Sequence, residues 1–166
     1  MRKNQSSLTA AGIAIARAVE SEKPADERIC YGPYARQFVP AWMYRLLGFF
    51  IKSSYAELRG PGVIGFLMAR ERYIDDVLQN FLNEGLMQLV ILGAGYDSRA
   101  YRFDLQGRVK TFEVDHPDTQ ADKLEKVQRI FGKIPEHVTY VAVDFNTQSL
   151  SEQLLSSSYD PSLISL

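Results

Sequence analysis

The stretch from Gln88 to Arg102, Gln-Leu-Val-Ile-Leu-Gly-Ala-Gly-Tyr-Asp-Ser-Arg-Ala-Tyr-Arg, constrains the fold more than any other part of the chain. Leu89 to Leu92 is a short, unbroken apolar run, which suits a strand covered on both faces. Gly93 and Gly95 follow at once; they let the backbone turn sharply and leave room for a ligand before a helix begins. A strand, a glycine turn and a helix start together make the opening of a nucleotide-type cofactor site. A Gly-x-Gly alone is a weak signal, so the remaining sequence has to supply the partners.

Downstream, strand and helix signals alternate. Arg108 to Asp115 has the β-branched and aromatic content of a strand and ends in an acid, and Pro117, which cannot donate to a ladder, closes it. Asp118 to Ile130 reads as an amphipathic helix with Leu124, Val127 and Ile130 inward and Asp118 where negative charge suits the helix dipole. Val138 to Val143 forms a third strand that runs into Asp144-Phe145-Asn146, and Ser149 to Ser156 a short helix. This order predicts a parallel sheet with right-handed crossovers, an α/β doubly wound domain with helices on both faces.

Upstream the pattern is helical. Thr9 to Val19 carries Ala and Ile at helical spacing, with Ser7 or Thr9 as the N-cap, and Pro24, Gly32 and Pro33 mark a loop. Arg36 to Leu58 gathers Trp42, Met43, Leu46, Leu47, Phe49, Phe50 and Ile51. It is too short, and too interrupted by Arg45 and Lys52, to insert stably in a membrane, which takes about 20 apolar residues. A core or interface helix is the expected use of such a cluster, with a lid over an apolar substrate or a peripheral membrane contact as the alternatives. After Gly60-Pro61-Gly62, Val63 to Asn83 reads as a helix with Ile64, Leu67, Met68, Ile74, Leu78 and Leu82 on one face. Its charged run, Arg70 to Asp76, fits a solvated face, although Arg70 follows directly on the apolar Phe66 to Ala69 and could be carried inward.

Composition narrows the function classes. A chain of 166 residues that is 46% hydrophobic can bury a real core, and a formal net charge of -1 with no basic tail argues against a nucleic-acid footprint. The lone Cys30 excludes an internal disulfide framework and, with no signal peptide, points to the cytoplasm. His116 and His137 sit apart without cysteine partners, so no metal site is expected.

In a parallel sheet of this kind ligands bind beyond the carboxyl ends of the strands, where Gly93-Ala94-Gly95, Asp115 and Asp144 fall together. Asp115 lies about 20 residues past the glycine turn, the place from which a carboxylate takes hydrogen bonds from both hydroxyls of a ribose. Glu113 is the rival acid; Asp115 is preferred because its terminal position is freer to reach a ligand. Asp144 suits an exocyclic amino group such as that of adenine, with Phe145 covering the ring edge, or else a turn preceding Asn146. A dinucleotide site wants a third glycine and an uncharged helix start; here Ser98 and Asp97 stand in those places. S-adenosylmethionine has ribose and adenine but no phosphate, so an acidic turn is tolerable. Asp97 either caps the following helix or faces the cationic end of such a ligand.

These same residues carry a family resemblance. Leu92 to Arg102, then Phe112-Glu113-Val114-Asp115-His116-Pro117, then Val141-Ala142-Val143-Asp144-Phe145, resemble the leucine carboxyl methyltransferases and their bacterial S-adenosylmethionine-dependent relatives. The resemblance extends from about Tyr31 to the last residue. It implies the amino-terminal half of a class I, Rossmann-like methyltransferase: residues 1–85 a helical segment covering the cofactor, residues 86–166 the first three strands of the cofactor-binding domain. It implies that Gly93, Ala94 and Gly95 contact the methionine portion, that Asp115 holds the ribose, and that Asp144 with Phe145 borders the adenine. Ala69-Arg70 matches a helix arginine that pairs with the cofactor carboxylate. Where the family often has Lys-Asp-Pro-Tyr, this chain has Tyr31-Gly32-Pro33-Tyr34, and it stops at Leu166, before the fourth strand of a full member.

Three expectations follow. The chain is a fragment whose first strand presents an apolar edge and promotes aggregation. Its chemistry is in-line methyl transfer to an oxygen acceptor, a small molecule or a protein, with no catalytic residue assignable: a carboxylate acceptor needs no base, and no base for a hydroxyl is evident. The competing readings are a nicotinamide- or flavin-binding oxidoreductase and a non-catalytic α/β binding module.

Overall fold

The computed structural model describes residues 5–53 and 58–166, which form two compact units, Met1–Val77 and Leu78–Leu166. The amino-terminal unit is helical. Helix α1, Gln5–Ser21, buries Ala11, Ala14, Ile15, Ala18 and Val19, so small side chains let it pack closely; it begins before Ser7 and Thr9, which therefore lie inside it rather than at its cap. A 3₁₀ turn, Ala35–Phe38, precedes helix α2, Ala41–Lys52. Part of the expected apolar stretch, residues 54–57, lies outside the described residues. Helix α2 is not a core helix: Gly48 is its buried residue, whereas Trp42, Leu46 and Phe49 are exposed. Helix α3, Val63–Asn83, spans the boundary between the units. Among its residues in the first unit, Met68 packs with Ala16 and Cys30.

The second unit is α/β. Strands β1, Gln88–Leu92, β2, Lys110–Asp115, and β3, Val138–Ala142, pair in the order β1-β2-β3, all parallel. Between them run the single-turn helix α4, Arg99–Arg102, and helix α5, Pro117–Phe131; helix α6, Leu150–Leu155, follows β3. Alternation along β2 decides which helix covers which face. Phe112 and Val114, both fully buried, pack with Val141, Val143 and, from α6, Leu150 and Leu154. Thr111 and Glu113 point the other way, where Lys123 of α5 meets Glu113. Helices therefore cover both faces of the sheet, as the strand and helix order predicts. A second core joins Leu78 and Leu82, at the end of α3, to Leu86, Leu89, Leu105 and Val109.

The edge of β1 away from β2 is not left open along its first half. Met87 and Gln88 donate to the Ile164 carbonyl, Val90 donates to Leu166, and Leu166 donates back to Gln88, so residues 164–166 run parallel beside β1. The fully buried Gln88 side chain secures this pairing: its amide donates to the Asp160 carbonyl at 2.6 Å and accepts from the Asp160 N–H at 2.9 Å. The expected exposed edge is corrected on this point. No helix among the described residues is long and apolar enough to cross a membrane.

Candidate functional site

The parallel register places Leu92 opposite Val114, and Asp115 opposite Ala142, so the three strands end side by side. The glycine turn, Asp115 and Asp144 therefore emerge on one edge of the sheet. Gly93 and Gly95 both take positive φ, 64° and 43°, which explains the need for glycine at each. A side chain at Gly93 would meet nothing within 4 Å, so open space lies against the turn. Gly93→Ala should consequently cost only the left-handed backbone penalty, about 1–2 kcal/mol, with an unchanged denaturant slope in urea unfolding.

Asp115 closes the turn. Its Oδ2 accepts from the Gly95 N–H at 2.6 Å and its Oδ1 from the His116 N–H at 2.6 Å. The Ala94 N–H reaches the Val114 carbonyl at 3.0 Å, and the Val143 N–H reaches the Asp115 carbonyl at 2.9 Å. Turn, second strand and third strand are thus stitched together at one point. Each carboxylate oxygen retains a further lone pair, so Asp115 can hold the turn and still accept two hydroxyls.

Asp144 is part of a turn. Its Oδ1 accepts from the Asn146 backbone N–H at 3.0 Å and from the Asn146 amide at 2.7 Å, and these bonds hold its carboxyl below the usual carboxylate range. Both of these bonds use Oδ1, so the turn role does not engage the other carboxylate oxygen. Phe145 beside it is 59% exposed, a bare ring face at the mouth of the site. Asp97 stands one residue before the N-cap of α4, Ser98, and serves the helix start: its Oδ1 accepts from the Arg99 N–H at 2.7 Å, and its other oxygen pairs with the Arg99 guanidinium.

Glu113 is unavailable to a ligand. It is 1% exposed, with Lys123 Nζ 2.6 Å from Oε2, Tyr101 donating to the same oxygen at 3.0 Å, and the hydroxyls of Tyr101 and Tyr140 3.0 Å apart. Burial pushes the Glu113 carboxyl up, against the pull of the Lys123 ammonium, and pushes the Tyr140 phenol up to about 12. Burial raises the Tyr101 phenol as well, so both tyrosines stay protonated and serve as hydrogen-bond groups rather than bases.

Sequence reading missed three side chains. Tyr96, in the turn, is buried and donates to Asp122 of α5, while Lys126 of α5 donates to the Tyr96 hydroxyl at 2.8 Å. The signal was present as an acid and a lysine four apart, Asp122 and Lys126, facing the aromatic residue that follows the second glycine.

Arg70 belongs to the amino-terminal unit. It is about half exposed, with its guanidinium 3.5 Å from Glu71. The residue carried inward on α3 is Glu71, 4% exposed, which also meets Arg17 at 3.5 Å. In the same unit a groove of about 460 Å³ lies between Ala16, Val19, Ile51 and Ile64. Its rim charges pair among themselves, Glu20 with Lys23 and Glu22 with Lys52. Among the described residues no cluster of His, Cys, Asp and Glu has the makings of a metal site.

The family described as leucine carboxyl methyltransferase matches residues 10–166. The chain belongs to that family. A Bacillus subtilis (strain 168) protein named "Putative S-adenosyl-L-methionine-dependent methyltransferase YktD" is 33% identical over 98% of this chain and 57% of its own length. A Mycobacterium sp. (strain MCS) protein named "Putative S-adenosyl-L-methionine-dependent methyltransferase" is 31% identical over 90% of this chain and 61% of its own. The chain thus spans about 60% of the length of these relatives. The three-stranded parallel sheet flanked by helices is consistent with half of the family's Rossmann-like fold.

Proposed function

We propose that this chain forms the cofactor-binding front of an S-adenosylmethionine-dependent methyltransferase that transfers methyl to an oxygen of a carboxylate or hydroxyl acceptor. The observation that carries the reading is the Asp115 carboxylate, which closes the glycine turn through Gly95 at 2.6 Å and keeps two lone pairs for a ribose, with Asp144 and the exposed Phe145 on the adjoining strand end. Open space at Gly93 and the acidic Asp97 fit a ligand with ribose and base but no pyrophosphate. When bound, S-adenosylmethionine supplies a methyl group already activated on a sulfonium.

The residues' task is then to bind and align. Asp115 takes the ribose hydroxyls, Asp144 takes the adenine amino group while Phe145 covers the ring, and Gly93, Ala94 and Gly95 border the methionine portion. Arg70 is proposed to pair with the carboxylate of that portion. A carboxylate acceptor attacks without a base, so alignment is the main contribution to rate. The lone, buried Cys30 suits a reducing, cytoplasmic setting.

Calorimetric titration tests this with S-adenosylhomocysteine and NAD side by side. Saturable heat with the first and none with the second is expected; the reverse pattern overturns the assignment. Phe145→Ala should weaken S-adenosylhomocysteine binding roughly threefold to tenfold, the value of one aromatic stacking contact.

A further inference from the structure

We infer that Tyr96, Asp122 and Lys126 form a positioning device that holds the Gly95 N–H on Asp115 and so presets the edge on which the ligand sits. The inference rests on the methyl-donor reading for the identity of that ligand, but not for the device itself.

Helix α5 links the glycine turn to the acid. Its first residues are tied to the acid by the chain: Asp115 ends β2, His116 caps the helix by accepting from the Asp118 N–H at 3.3 Å, and Pro117 opens it. One turn further on, the buried pair of Lys123 and Glu113, 2.6 Å apart, locks the helix onto β2. On the same stretch, Asp122 and Lys126 reach the glycine turn. Asp122 accepts from the Tyr96 hydroxyl, Lys126 donates to it at 2.8 Å, and the Lys126 ammonium stands 4.5 Å from the centre of the Tyr96 ring. Tyr96 is 4% exposed, and its neighbour Gly95 is the residue whose N–H meets Asp115. The turn and the acid are therefore both referenced to one rigid helix, and the 2.6 Å contact between them is held from two sides.

A glycine turn with positive φ at both glycines has little stiffness of its own. Charge-assisted hydrogen bonds to a partly buried lysine and an aspartate supply it at Tyr96, the residue next to Gly95. None of the three side chains needs to touch the ligand, so they are positioning residues.

Hydrogen exchange in the ligand-free protein tests the device directly. In Tyr96→Phe, which keeps the ring and removes both charge-assisted hydrogen bonds of the hydroxyl, the Gly95 amide should exchange at least roughly tenfold faster, while Val114 in the middle of the sheet keeps its protection. S-adenosylhomocysteine affinity should fall by a similar factor. Lys126→Met, which leaves Tyr96 bonded to Asp122, should give a smaller change of the same sign, and serves if Tyr96→Phe does not fold. Unchanged Gly95 exchange, or equal acceleration at Val114, overturns the inference, as does wild-type ligand affinity in both variants. If the parent binds no S-adenosylhomocysteine while Gly95 exchange responds as stated, the methyl-donor reading fails and the device stands.

Discussion

Lys123→Met should destabilise the protein by about 3–5 kcal/mol, because it removes the cation placed against a buried carboxylate. Glu113 is 1% exposed, and its Oε1 has no hydrogen-bond partner among the described residues. Methionine fills much of the volume of lysine, so the loss is electrostatic rather than a cavity effect. For a chain of this size the midpoint of thermal unfolding should drop by roughly 10 °C.

The pH dependence of that loss identifies its cause. Burial already raises the Glu113 carboxyl, and without Lys123 the hydrogen bond from Tyr101 is left to oppose it. The folded variant then holds a proton that the unfolded chain releases near the ordinary glutamate value of about 4.3. Stability of the variant is greatest below that value and falls as the pH rises towards the raised folded-state value. The deficit relative to the parent should accordingly be larger at neutral pH than near pH 4, read from urea unfolding at both. Adding Glu113→Gln should recover most of it, since the amide oxygen still accepts from the Tyr101 hydroxyl, 3.0 Å away in the parent. An equal deficit at the two pH values would remove the charge argument.

This buried pair also marks where sequence reading ran out. Period-two alternation in β2 sends Glu113 and Asp115 to the same face, and that much was legible. Which of the two met solvent depended on where α5 lay across that face, and therefore on Lys123, whose spacing in the helix reads as an ordinary exposed lysine. The strand ends, the glycine turn and the alternation of elements are local properties and were readable. Side chains satisfied across elements, such as Tyr96 on Asp122 or Gln88 on Asp160, depend on tertiary approach and were not. The exposed Trp42 and Phe49 failed for the converse reason: helical spacing of aromatics fixes which residues share a face, not whether anything covers it.

Asp115 is where fold and function coincide, and its substitutions should separate the two. Asp115→Ala leaves the N–H groups of Gly95 and His116 without their acceptors, each 2.6 Å away in the parent. That should cost about 1–3 kcal/mol of stability for each group that water cannot reach. On the reading proposed above it also removes the acceptor for two ribose hydroxyls, so S-adenosylhomocysteine affinity should fall roughly 100-fold or more. Asp115→Asn looks conservative and should not be. Both carboxylate oxygens accept from backbone donors, and an asparagine offers one oxygen and one NH₂, so one backbone N–H must face another donor. Its affinity should therefore lie close to that of Asp115→Ala, whereas Asp115→Glu keeps two acceptors and should retain part of the binding. Unchanged ligand affinity in a folded Asp115→Ala protein would leave Asp115 as a clamp for the glycine turn and move the ribose elsewhere.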